Sequence, residues 1–296
     1  MIFLLLAILS STFIFVLFKL FPHFNINTYQ AIVINYLTAG IIGFAINNNY
    51  KLLNGIFSFN WIYFALFIGI LLLLTFLLIK YSTQNIGVSI TTVACKMSVV
   101  IPILFSIIYD HEKIFFAKVA AIVLAILSIF LLVKRDKNNF RKKTPQWWIL
   151  LLPLFLFLGL GLSDTLVKLI QNEYIKPEDS SFFTSSLFSF SFLASVLVGI
   201  FQKQFFIKFL KIQNLIGGIL LGLANFGSLL YLLKSLNYSG YESSVVFGMV
   251  NLGIILLSVM FGLVLFSEKL NKINWTGIAL ALVSIFMLTF YKWIVI

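Results

Sequence analysis

The chain has 296 residues, 61% of them hydrophobic and only 10% charged, with a mean hydropathy of +1.08. A soluble domain carries about 25% charged residues, so a soluble fold is excluded, and apolar runs of about 20 residues fit spanning helices rather than barrel strands. The net charge is +12, but the basic residues lie in short connections between apolar runs. There they act as topology signals and lipid-headgroup contacts, which argues against a nucleic-acid surface. Cys95 is the single cysteine, which excludes an intramolecular disulfide and a Cys-rich metal site.

Apolar runs and polar breaks predict ten helices at roughly 2–20, 29–46, 60–79, 86–108, 114–133, 146–170, 181–201, 213–233, 242–266 and 273–292. No basic residue precedes the first run and no small-residue cleavage pattern follows it, so residues 2–20 read as a spanning helix rather than a cleavable signal. The fourth run contains Pro102, which removes a backbone hydrogen bond and predicts a kink. The longest polar connection, about 134–145, holds six basic residues against Asp136. Trp61, Trp147, Trp148, Trp275 and Trp293 stand at run ends, where aromatic side chains suit a membrane interface.

The stretch Glu112–Leu132 recurs at Glu268–Leu288, at an offset of 156 without a gap, with nine of 21 positions identical. The matches include Glu112/Glu268, Lys113/Lys269, Ser128/Ser284 and Phe130/Phe286. Gly87 and Gly240 match at an offset of 153, ahead of the fourth and ninth helices. A charged pair followed by a matching membrane-length run, once per half, points to an internal repeat. The expected organisation is therefore a first five-helix repeat over 1–133, a basic linker at 134–145, and a second repeat over 146–296. Five helices per copy is an odd number, so head-to-tail copies lie inverted across the bilayer about a pseudo-two-fold axis in its plane. The loops expected on the linker side carry about twice the basic residues of the others, which puts that side in the cytoplasm and both termini outside.

These features resemble the drug/metabolite transporter superfamily, and among its members the EamA-type transporters. The resemblance rests on Glu112-Lys113 and Glu268-Lys269 with their following runs, on Trp275-Thr276-Gly277, and on Lys19 and Lys168 near the ends of the first helix of each copy. One departure is Ala121, where the second copy has Gly277. The resemblance implies an all-α, ten-helix membrane protein of two inverted five-helix repeats, with a central cavity and alternating access. It also implies that both termini lie inside, against the charge count. The third and fourth helices of each copy would contribute much of the cavity wall.

Lys96 is the most informative single residue. An ammonium near the bilayer centre costs about 2.5–3.5 kcal/mol on insertion scales, so it must face protein or a wet cavity. There it would anchor an anionic substrate group, take part in coupling, or be held internally with a structural role. Its repeat partner is Met249, so the cavity would be chemically asymmetric. Thr92 and Cys95 lie at helical spacing beside it and would add polarity to the wall, or simply pack. Asn35, Asn225 and Asn251 are strong polar groups inside helices, and each must find a partner, a cavity or a substrate. Asn251, on the ninth helix, is the second candidate for substrate contact. Asp164 precedes Lys168 by four residues, a spacing that suits an ion pair; the alternative is a carboxylate that carries a proton in coupling. Glu112 and Glu268 are expected to cap the last helix of each copy. Tyr36, Tyr231 and the Ser-rich seventh helix are either cavity wall or close packing.

No Gly-rich phosphate loop, HExxH or Gly-x-Ser-x-Gly pattern occurs. No metal or cofactor is therefore expected, and energy would come from proton coupling or exchange. The reading is a secondary transporter of a small polar, anionic metabolite, in the plasma membrane (the inner membrane of a bacterium), as a monomer or homodimer in its lipid bilayer. An intramembrane enzyme acting on lipid headgroups and a channel are the alternatives; the first lacks a catalytic cluster, and the repeat favours alternating access over the second.

Overall fold

The computed structural model describes residues 1–46, 59–109, 111, 116–133, 147–175, 179–201, 209–238, 240–241 and 243–294. Glu112, Lys113 and the 134–145 linker lie outside these. Helices α1 (Ile2–Leu20), α2 (Thr28–Ile46) and α3 (Ile62–Asn85) are followed by α4 (Val88–Met97), α5 (Val100–Tyr109) and α6 (Phe116–Val133). A 3-10 turn at Trp147–Leu151 leads into α7 (Leu152–Tyr174), and then come α8 (Ser180–Ile200), α9 (Ile212–Tyr238), α10 (Ser243–Val264) and α11 (Lys272–Ile294). Counting α4 and α5 as one span, nine are long and apolar enough to cross a membrane, and α6 is a shorter apolar helix. The protein is an all-α, multi-pass membrane protein.

The fourth run is not one kinked helix but two. The break falls at Ser98–Val99, one turn ahead of Pro102. Proline has no N–H for the carbonyl four residues back, which is that of Ser98. That carbonyl instead accepts from Ile101 N at 3.0 Å, while Ser98 Oγ donates to the carbonyl of Cys95 at 2.6 Å. Trp61, at the end of its run, faces protein rather than the outer surface of the bundle. It is buried at the start of α3, stacked on Phe59 and edge-on to Phe182 and Phe183.

Helix pairings follow a regular scheme. Helix α1 packs on α9 and α10, while α7 packs on α3, α4 and α5. Helix α2 packs on α9, and α8 packs on α3. The pairs α2–α8, α4–α10 and α6–α11 complete the bundle. Exchanging the first five spans for the last five reproduces these pairings. Close approaches run through small residues: a Cβ on Gly69 would stand 2.8 Å from Phe190 Cβ, and Gly43 faces Ser185. The serines of α8 turn back on their own helix, Ser186 to Phe182 O and Ser191 to Leu187 O, both at 2.8 Å. These two serines serve close packing, while Thr184 and Ser185 line a pocket with Phe188 and Phe226. Tyr36 is likewise fully buried, its hydroxyl donating to Leu72 O at 2.7 Å.

At the α6–α11 contact two hydrogen bonds mirror each other. Ser128 Oγ donates to Gly277 O at 2.8 Å, and Ser284 Oγ donates to Ala121 O at 2.7 Å. Donors and acceptors are repeat partners at the same 156-residue offset.

Candidate functional site

Helix α4 delivers Lys96 to the centre of the bundle. Residues Val88–Cys95 are all buried and Lys96 is half-buried in its last turn. Beyond the break, Val99 and Ile103 continue into a cavity of about 290 Å³. Asn251 and Phe247 of α10 and Leu288 and Thr289 of α11 complete much of its wall. Asn251 is half-buried there and makes no side-chain bond to a described residue.

Asp164 on α7 is exposed although it lies in the middle of its helix. The exposed apolar stripe of α7 is Phe155, Leu158 and Leu162. At 100° per residue, Asp164 stands about 180° around the helix from Phe155. Its accessible surface therefore faces the bundle interior, where a carboxylate avoids hydrocarbon. Lys96 lies on the helix packed against it across the α4–α7 contact, near enough for the two charges to act on each other. Lys168, the partner suggested by the four-residue spacing, has its Nζ donating to Ser106 Oγ on α5. Lys96 and Asp164 influence each other without a direct hydrogen bond or ion-pair contact among the described residues. Thr92 is fully buried one turn before Lys96, and its Oγ1 has no partner. Cys95 is buried and within reach of both charges.

Asn35 and Asn225 do not join this site. They meet each other between α2 and α9, with Asn225 Nδ2 3.2 Å from Asn35 Oδ1, and Asn35 fully buried. Each amide supplies the partner the other needs in an apolar contact.

Glu268 was expected to cap the last helix, and it caps a different one. Asn271 caps α11, its Oδ1 accepting from Asn274 N at 2.6 Å. Glu268 instead crosses to the first half. Its carboxylate accepts from Val88 N at 2.5 Å, Ser89 N at 3.1 Å and Ser89 Oγ at 2.7 Å, at the start of α4. A carboxylate there meets free N–H groups and the positive end of the helix dipole. At the facing end of α3, Lys19 Nζ donates to Thr83 O at 3.1 Å and Gln84 O at 3.5 Å. The cross-half partner of Glu268 carries no local sequence signal beyond Gly87.

Residues 1–134 match the EamA-like transporter family. An uncharacterized protein of Haemophilus influenzae is 29% identical over 294 residues, covering 96% of each chain. A crystal structure of another protein superposes with a TM-score of 0.53 at 14% identity, over 98% of both chains, and so shares the fold.

Proposed function

We propose that the chain, a member of the EamA-like transporter family on the match of residues 1–134, is a secondary transporter for a small polar metabolite with an anionic group. It works in the plasma membrane by alternating access to the cavity between two inverted repeats, residues 1–133 and 146–296. The exchange-symmetric pairings and the mirrored Ser128 and Ser284 bonds support the repeats. Transport itself rests on the family match.

One observation carries the site: a lysine and an aspartate stand on the packed helices α4 and α7 without a direct bond, and the helix of the lysine runs on into the cavity at Val99. A charge inside a membrane bundle without close partners is costly, and a polar ligand or water between the two would offset that cost. Lys96 would bind the anionic group, Asn251 would fix orientation from the opposite wall, and Asp164 would relay coupling charge. Thr92 and Cys95 shape the floor beside Lys96.

The test is a thermal-shift screen of the purified protein and Lys96→Met, with organic acids, sugar phosphates, amino acids, nucleosides and cationic drugs. A ligand that binds only the folded state raises the melting temperature by mass action. An organic acid or sugar phosphate is expected to stabilise the parent and not Lys96→Met, and then to show saturable counterflow in liposomes that Lys96→Met lacks. Equal stabilisation of both proteins by neutral or cationic compounds would sink the anionic reading.

A further inference from the structure

The α4–α10 contact, with its continuation into α5, has two unlike ends. At one, Val99 and Ile103 line the cavity with Phe247, Gly248 and Asn251, and Phe247 is exposed. At the other end of the same antiparallel α4–α10 contact, Ser89 meets Gly262, and the space is filled. Glu268 occupies that closed end. Ser267 adopts φ +48°, and Glu268 N donates to Gly262 O at 2.9 Å, which turns the carboxylate back across the halves. A Cβ on Gly87 would stand 2.6 Å from Glu268 Oε1, and one on Gly262 would also collide with the carboxylate. Two glycines therefore make room for it. The equivalent turn at the open end, around Gly240, has nothing within 4 Å of a Cβ among the described residues.

We propose that Glu268 is a latch: a positioning residue that shuts the cavity on the face of the α3–α4 turn and releases when that face opens. Three hydrogen bonds donated by the start of α4 to the Glu268 carboxylate tie the helix carrying Lys96 to the second half. Two of them run to backbone N–H groups, so the latch reads the position of the helix end rather than a side chain. Lys19, holding the α3 carbonyls beside the same turn, keeps the receiving surface in place. For the closed end to open, α4 and the α10–α11 connection must part, and the carboxylate bonds are the polar contacts that must break.

This rests on the transporter reading for its place in a cycle, but it is tested without substrate. Val99→Cys is introduced in a Cys95→Ala background, and a membrane-impermeant maleimide is added from either side of sealed vesicles. His23→Cys marks the α3–α4 face and Tyr241→Cys marks the other; both parent positions are exposed. In the parent, Val99→Cys is labelled from the Tyr241 face. Adding Glu268→Gln removes the charge-assisted bonds and is expected to raise labelling from the His23 face about tenfold, with labelling from the Tyr241 face falling. Labelling from the His23 face that stays at the parental level, with both marker cysteines reacting normally, overturns the latch. So does a rise from both faces together, which is what loss of a simple helix cap would give. If Glu268→Gln fails to fold, Ser89→Ala removes the hydroxyl bond alone and should raise His23-face labelling about threefold; no change there overturns the latch equally. A null result leaves the transporter reading intact, since counterflow tests that separately.

Discussion

The turns at Gly87 and Gly240 correspond at an offset of 153 residues and have the same backbone demand but different surroundings. Both glycines have positive φ, +122° and +75°, between the third and fourth spans of their halves. Gly87 is pressed against the Glu268 carboxylate, whereas Gly240 has open space among the described residues. The cavity lined by Phe247 and Asn251 lies toward the Gly240 end of α10. Matching sequences thus occupy unmatched tertiary settings. The central chemistry is unmatched as well, with Lys96 in one half and Met249 in the other.

The contrast is broken hardest at the two glycines. Gly87→Ala forces an L side chain into backbone space reserved for glycine and displaces the carboxylate. It should destabilise the detergent-purified protein by about 3–5 kcal/mol. Gly240→Ala meets only the backbone penalty, about 1–2 kcal/mol. Denaturant or thermal unfolding followed by circular dichroism measures both. Equal losses would mean that the clamp adds nothing at Gly87.

Removing the clamp itself comes next. Glu268→Ala leaves two N–H groups and a hydroxyl at the start of α4 without their acceptor, a loss of about 2–3 kcal/mol. Lys269→Ala, at the adjacent exposed position, should stay within about 0.5 kcal/mol of the parent. The same unfolding assay separates them, and a Lys269 effect as large as that of Glu268 would place the energy in the connection rather than in the carboxylate.

A third comparison lies between interfaces related by exchange of the halves. The α2–α9 contact holds the Asn35–Asn225 pair, while the α3–α8 contact closes on Gly69 without one. Each single Asn→Leu substitution strands the other amide, fully buried at Asn35 and half-buried at Asn225, and should cost about 1–3 kcal/mol, whereas the double substitution should cost less than the sum. Strict additivity would show that the amides do not support each other.

These effects also mark how far the sequence could be read. Length and hydropathy locate the spans because each apolar run is a local property. The Glu-Lys repeat locates α6 and α11 for the same reason. Pro102 announces a disturbance, and backbone chemistry moves it one turn back to Ser98. Lys96 is legible as an interior group because a charge in an apolar run has few places to go. What is not legible is which partner each polar residue finds. Asp164 has Lys168 at an attractive local spacing but faces Lys96 across a helix contact. Glu268 has a helix of its own to cap, but Asn271 fills that role three residues later, and Gly87 with Gly262 opens a place 180 residues away in sequence. Such choices depend on how helices cross, and no periodicity within one helix encodes that.

The α6–α11 contact is where the halves should behave alike. Ser128 and Ser284 are fully buried and donate to carbonyls that are themselves repeat partners, at 2.8 and 2.7 Å. Removing either hydroxyl leaves one carbonyl oxygen without its extra donor while its helix bond can remain. Ser128→Ala and Ser284→Ala should therefore each cost about 1 kcal/mol, and the two losses should agree within about 0.5 kcal/mol. The acceptors differ in one respect: Gly277 packs closely on Leu131 and Leu132, where a Cβ would stand 3.2–3.3 Å away, whereas Ala121 carries a buried methyl. A consistently larger loss at Ser284 would assign that difference to the methyl of Ala121, which limits how far α6 can settle onto α11 once the hydroxyl is gone. Losses several-fold apart would show that the local symmetry of the two bonds does not extend to their energies, and that the asymmetry seen at Gly87 and Gly240 runs through the axis of the bundle as well.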